Sequence, residues 1–326
     1  MVQPMITSIL VPLDGSPFAE HAIATAVSIA RRGRALINLV HVDQGPVHGG
    51  WGPTVDPELE NHIRATRRRA LQTLADQLVA DTALRITLTM VTGPVAETLE
   101  EHIAATRPDF VVMSTHGATG IKRAILGSVA GHIIAHSAAP VLLVRPASVD
   151  PEIGSTKVFH HILVALDGSA LAEQVIDRTL PLAVPGETRF TLLEIVVLTS
   201  LTAMSYPANA VPMEFAGSVD ERREELRPHL NDVAAGLRAR GFDTSVQVVS
   251  HWQAATGILE QADVGDADLI ALSTRGHGGL RRLVLGSVAD GVVHGAETPV
   301  LVFHPVDVDN DAPALSAEAA LLGATE

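Results

Sequence analysis

Apolar residues in this chain come in short runs of Val, Ile and Leu, separated by longer stretches with apolar positions at helical spacing. The alternation runs through the chain twice. In the first pass, strands are predicted near 7–13, 35–42, 85–91, 109–114 and 141–145, with helices near 16–32, 57–81, 95–106 and 127–138. In the second, strands are predicted near 160–166, 189–198, 244–250, 268–273 and 299–303. Helices of the second pass fall near 169–183, 214–240, 253–264 and 286–297. Runs such as Phe110-Val111-Val112-Met113 and Leu269-Ile270-Ala271-Leu272 have no polar position, as expected of parallel strands covered on both faces. Pro228 falls inside the longest predicted helix and is expected to kink or divide it, because it removes a backbone donor. Residues 44–55 and 199–212 read as Gly/Pro-rich loops. The tail after Pro305, with Asp307, Asp309 and Asp311, reads as disordered or as a loose helix.

The two passes are copies of one another. Ser114-Thr115-His116-Gly117 leads after nine residues to Gly127-Ser128-Val129-Ala130, and Ser273-Thr274-Arg275-Gly276 leads after nine to Gly286-Ser287-Val288-Ala289. Ten of the eighteen positions in these segments are identical, which points to duplication rather than chance. Ser8-Ile9-Leu10-Val11-Pro12-Leu13-Asp14-Gly15-Ser16 likewise matches His161-Ile162-Leu163-Val164-Ala165-Leu166-Asp167-Gly168-Ser169. The expected division is a domain over 1–146, a linker over 147–157, a second domain over 158–304 and a tail over 305–326. The uncharged fifth strands, at 141–145 and 299–303, would expose unpaired backbone if left at sheet edges. Pairing them with each other inside the chain removes that exposure; central placement or covering loops would do the same.

Composition narrows the function classes. The 326 residues are 47% hydrophobic, 3% aromatic and 18% charged, which fits packed α/β layers and not a disordered chain. A formal charge of −14 argues against non-specific nucleic-acid binding, and the absence of cysteine removes disulfides, thiolate zinc sites and thiol catalysis. No apolar run approaches the roughly 20 residues of a membrane span. Met1-Val2-Gln3-Pro4-Met5 has no cationic start before an apolar core, so a cytoplasmic protein is expected. Fifteen histidines without a repeated pair at ligand spacing give no expectation of a metal. No G-x-x-x-x-G-K-[ST], no G-x-G-x-x-G after the first strand and no G-x-S-x-G occurs.

A strand running into a glycine-bearing loop and then a helix N-terminus can hold phosphate. Glycine lets backbone approach closely, and the first helical N–H groups lack internal acceptors. Gly127-Ser128 and Gly286-Ser287 stand at such starts, although an ordinary capped helix would use the same residues. Asp14 and Asp167 end the first strand of each copy, where ligands of open α/β sheets sit; they suit ribose or adenine donors, or a turn with an N-cap. Lys122-Arg123 and Arg281-Arg282 are phosphate partners or solvated loop cations.

On the G-x-x-G, nine residues, G-[ST] spacing, the chain resembles a tandem universal stress protein of the ATP-binding type. Gly117, Gly127 and Ser128 match in the first copy, and Gly276, Gly286 and Ser287 in the second; Ser114 and Ser273 replace the motif's first glycine. The resemblance implies two tandem Rossmann-like α/β domains, akin to adenine nucleotide alpha hydrolases. Each would be a five-stranded parallel sheet of order 3-2-1-4-5 with helices on both faces, joined through the fifth strands. It further implies ATP as ligand, with Mg2+, held by Asp14, Val42, Ser114, Gly117, Gly127, Ser128 and Val129. The corresponding residues of the second copy are Asp167, Ile195, Ser273, Gly276, Gly286, Ser287 and Val288. The expected role is stress-linked regulation without a catalytic residue, a homodimer remaining open. The alternatives are a nucleotide-free dimerising scaffold and a slow ATPase.

Overall fold

The computed structural model describes residues 5–44, 57–115, 126–145, 159–198, 213–274 and 285–305. The first half runs β1 (Ser8–Pro12), α1 (Pro17–Gly33), β2 (Leu36–Asp43), α2 (Pro57–Thr82), β3 (Ile86–Thr92), α3 (Val95–Thr106), β4 (Phe110–Ser114), α4 (Ser128–His136) and β5 (Val141–Val144). The second half runs β6 (His161–Leu166), α5 (Ala170–Thr179), β7 (Arg189–Val197), α6 (Met213–Ala239), β8 (Asp243–His251), α7 (Ala254–Val264), β9 (Leu269–Ser273), α8 (Ser287–Gly295) and β10 (Val300–Phe303).

All ten strands form one sheet, in the order β3-β2-β1-β4-β5-β10-β9-β6-β7-β8. Each half therefore has the order 3-2-1-4-5, and pairing within each half is parallel. The two halves meet where β5 and β10 pair antiparallel, with Leu142 opposite Leu301. Val-Leu-Leu-Val and Val-Leu-Val-Phe are buried at every position, so the apolar edges cover one another.

Helices cover both faces, and strand alternation sorts side chains between them. Ile9, Val11, Ile37, Leu39, Leu142 and Leu301 join one core that includes Ile23 and Val27 of α1 and Leu230 of α6. Leu10, Val111, Leu143, Leu163, Ile270 and Val300 join the other, with Ile133 of α4 and Val292 of α8. Both cores run across the β5–β10 seam.

One helix expectation is corrected, and of the other the division is excluded. The helix expected over 169–183 ends at Thr179, and Leu180–Leu182 form a 3-10 turn containing Pro181. Leu180, Leu182 and Ala183 are buried, which prolonged the apolar pattern past the helix end. Pro228 does not divide α6, which continues from Met213 to Ala239. Pro228 and Glu224 are both exposed, so the carbonyl that loses its donor can bond water.

Candidate functional site

The C-terminal ends of β2, β1 and β4 lie side by side in the first half, and those of β7, β6 and β9 in the second. Asp14, Val42 and Ser114 sit along the first edge; Asp167, Ile195 and Ser273 sit along the second. Gly127, Ser128 and Val129 open α4, and Gly286, Ser287 and Val288 open α8. Gly117 and Gly276 lie outside the described residues, as do His116, Lys122, Arg123, Arg275, Arg281 and Arg282, the 147–157 linker and the tail after Pro305.

The aspartates make turns. Asp14 Oδ1 accepts from the Ser16 amide at 2.8 Å, and Asp167 Oδ1 accepts from the Ser169 amide at 3.1 Å and its hydroxyl at 2.6 Å. Gly15 (φ +81) and Gly168 (φ +78) between them adopt left-handed backbone, which a side chain would strain. Ser169 caps α5 by accepting from the Ala172 amide at 3.1 Å. Ser16 does not cap α1, and its buried Oγ has no hydrogen-bond partner among the described residues. The turn-plus-cap reading thus holds in the second half and only its turn in the first. Both aspartates remain exposed at the sheet edge.

The starts of α4 and α8 are built differently from that of α5. Gly127 and Gly286 are the N-cap residues, and neither helix start has a side-chain cap. Their first amides have no acceptor within the helix, which leaves a cluster of donors at the positive end of the helix dipole. Gly127 N–H donates to the Thr115 carbonyl at 3.4 Å, and the Thr115 and Thr274 amides extend the ladders to β5 and β10 by donating to the Val144 and Phe303 carbonyls at 3.1 and 2.9 Å. Ser114 and Ser273 end β4 and β9 half-buried, opposite Val144 and Phe303. Val42 and Ile195 are half-buried against the apolar core shared by α3, α4, α7 and α8.

The surroundings of the two edges differ in charge. At the first, Arg67 of α2 reaches the Gly15 turn, its Nε lying 3.9 Å from where a Cβ on that glycine would stand. Arg64 pairs with Asp43 at 2.5 Å at the end of β2. Buried His41 donates from Nδ1 to the Leu13 carbonyl at 2.7 Å. At the second, buried Glu194 takes the place of His41, with Oε1 3.5 Å from a Cβ position on Gly168. Asp290 adds an acid to the first turn of α8, whereas α4 has none there. Arginines therefore flank the first edge, and carboxyl groups the second. Arg67 was not singled out from the sequence, where it is one of three consecutive arginines on a solvated helix.

A universal stress protein family model matches residues 5–145 and again 159–304. A universal stress protein of Mycolicibacterium smegmatis is 27% identical over 307 residues, covering 91% of this chain and 97% of its own. One from Mycobacterium tuberculosis is 23% identical over 300 residues, covering 90% and 96%. Among solved structures, a universal stress protein from Archaeoglobus fulgidus superposes with a TM-score of 0.64 at 17% identity, covering 93% of this chain and 98% of that one.

Proposed function

The chain belongs to the universal stress protein family, and from that premise we propose that it is a regulatory protein that binds ATP, with Mg2+, at the C-terminal sheet edge of each half. The observation that carries the reading is the uncapped Gly-Ser helix start, built twice beside an exposed strand-end aspartate. Triphosphate oxygens would take the free amides of α4 and α8 together with the Ser128 and Ser287 hydroxyls. Each such charge–dipole contact contributes about 0.3–1 kcal/mol. Asp14 and Asp167 would meet ribose or adenine donors, and the backbone near Val42 and Ile195 would meet the adenine edge. The residues suit the group: amide donors without a side-chain cap and a serine hydroxyl stand together at each helix start, and phosphate oxygens accept from both.

The first site is the tighter, because Arg67 adds positive charge at its rim and α4 has no first-turn acid. Glu194 and Asp290 place negative charge around the second. No residue is assigned to catalysis, since the repeated carboxylates stand at the adenosine end. Occupancy would bias shape or partner choice, the regulatory use of binding energy.

Calorimetry with ATP and Mg2+ tests the reading. Two sites per chain are expected, the first tighter, with a rise in melting temperature; at a hundredfold excess over Kd the added stability is about 2.7 kcal/mol. No heat and an unchanged melting temperature at millimolar ATP would leave a nucleotide-free scaffold as the better account.

A further inference from the structure

Glu100, His132 and His136 form a cluster that nucleotide binding does not use. His132 and His136 stand four residues apart on α4, so both rings leave the same helix face. Their centroids are 4.2 Å apart and their planes differ by 19°. Glu100 of α3 meets them, with Oε2 2.6 Å from His132 Nε2. One ligand atom from each residue lies within 4.8 Å of the other two. His136 Nδ1 is 2.8 Å from the His132 carbonyl oxygen. A carbonyl only accepts, so Nδ1 is the donor and Nε2 keeps its lone pair. A backbone carbonyl that orients the ring in this way is the usual support of a metal-binding imidazole.

The second half shows the same helix seam without the cluster. In the repeat, Glu100 corresponds to Leu259, His132 to Gly291 and His136 to Gly295. There α7 and α8 pack closely: a Cβ on Gly291 would stand 2.7 Å from Ala255 Cβ, and one on Gly295 would collide with Leu259 Cδ1. One copy closes the seam with leucine over two glycines. The other has, at those same three positions, three side chains of ligand type, all partly buried. A surface ion pair would need only two of these changes; the third completes a coordination set.

The geometry points to a divalent transition-metal site of the two-histidine, one-carboxylate type, with His132 Nε2, His136 Nε2 and a Glu100 oxygen as ligands. Imidazole with carboxylate suits Zn2+ and its neighbours Co2+ and Ni2+, whereas Mg2+ and Ca2+ prefer oxygen alone. Three protein ligands leave a tetrahedral ion one open position. A cleft of about 570 Å³, lined by Glu100 and His136 on one side and Asp177 and Arg178 of the second half on the other, leads to it. The ion would tie α3 to α4 near the C-terminal end of α4. The inference is independent of nucleotide binding.

Co2+ titration of the tag-free, chelator-treated full chain tests it, read by visible d–d absorption. One Co2+ per chain with tetrahedral bands is expected, displaced by Zn2+. Losing an outer partner of a ligand already weakens metal binding by about tenfold or more, so His136→Ala and Glu100→Gln should each lose at least that much. His229→Ala, which removes an exposed histidine paired with Glu173 far along the chain, should change nothing. Circular dichroism checks that each variant is folded; if His136→Ala is not, His136→Gln keeps the side-chain bulk and serves the same comparison. Absence of a one-to-one Co2+ spectrum, or a spectrum unchanged in a folded His136 variant, would overturn the assignment.

Discussion

Gly127 and Gly286 hold the same position in the two halves but have different space around them, so alanine at each should act differently. Both backbones (φ −58, ψ 146 and φ −61, ψ 149) are open to any residue, so neither substitution strains the chain by conformation. Alanine is a poorer N-cap than glycine by about 0.5–1.5 kcal/mol. Reduced freedom of the unfolded chain returns about 0.4–1 kcal/mol. These terms nearly cancel and are common to both sites. The difference lies in the added methyl. At Gly127 it meets the Thr115 carbonyl oxygen at 3.9 Å, an ordinary contact; at Gly286 it meets the Thr274 oxygen at 2.9 Å. Backbone must shift to relieve that overlap, and overpacking of this kind costs about 1–3 kcal/mol. Gly286→Ala should therefore be less stable than Gly127→Ala by about 1–3 kcal/mol. Urea unfolding followed by circular dichroism without nucleotide would measure it, provided both variants keep one transition with the same slope. Equal losses, or the larger loss at Gly127, would refute the argument. Nucleotide affinity follows the opposite logic: Gly127→Glu is the cleaner probe of binding, because an added Cβ there stands 3.9 Å from the Thr115 carbonyl oxygen, against 2.9 Å from the Thr274 oxygen at Gly286.

Glu194→Gln should raise nucleotide affinity at the second site and leave the first unchanged, measured by calorimetry, because it replaces an acidic group beside the Gly168 turn with a neutral amide. His294→Ala should weaken the first site more than the second, since the Leu126 amide, next to Gly127, donates to His294 Nε2 at 3.3 Å; equal effects would refute the link. Acid sensitivity should come partly from His161. Its pKa is held below the ordinary 6.5, first by burial and then by the nearby Arg189 charge, against opposing effects of the Gly265 and Asp266 backbone and the Asp268 charge. The unfolded chain then binds a proton that the folded chain resists, so this contribution to stability is present above pH 6.5 and is lost as pH falls below it. His161→Gln should flatten urea midpoints in that range, and an unchanged slope would exclude His161 as a source.

Much of the fold can be read from the sequence because βαβ units carry a strong signal: fully apolar strands, then helices at a period near 3.6. The uncharged Pro140-Val141-Leu142-Leu143-Val144 and Pro299-Val300-Leu301-Val302-Phe303 segments needed cover on physical grounds, and β5 and β10 do lie against each other. Errors arose where local and tertiary signals part. Buried Leu180 and Leu182 look helical by spacing, yet Pro181 tightens that turn to 3-10. The candidate site is read less directly, because its donors are backbone amides that leave no side-chain signature beyond glycine spacing. Arg67 reaches the first site from a helix more than fifty residues further along the chain than Gly15, at a distance no local pattern encodes. The His132–His136 spacing is present in the sequence, but it belongs to one copy alone and so lies outside the repeated pattern that marks the other candidates.

Divergence between the copies also lies along one helix that touches both sites. The N-terminus of α8 belongs to the second proposed site, and His294 in its last turn meets Leu126 at the rim of the first. His294 Nδ1 donates to the Asp290 carbonyl at 2.8 Å, which leaves Nε2 to accept the Leu126 amide. Arg145, just after β5, donates to the carbonyls of Val293 and His294, closing the same end of α8 from the first half. The reciprocal positions do not repeat this. His294 corresponds to Ala135, which has no ring to offer, and Arg145 corresponds to His304, which bonds Thr274 within its own half at 2.9 Å. The pseudo-symmetric sheet thus carries a one-way arrangement. Leu126, just before the first helix start, rests on the second half, and no reciprocal bond to Leu285 occurs among the described residues. If a nucleotide binds as proposed and draws Gly127 toward its phosphates, it would pull on the Leu126 amide, and through His294 on the helix that begins at Ser287.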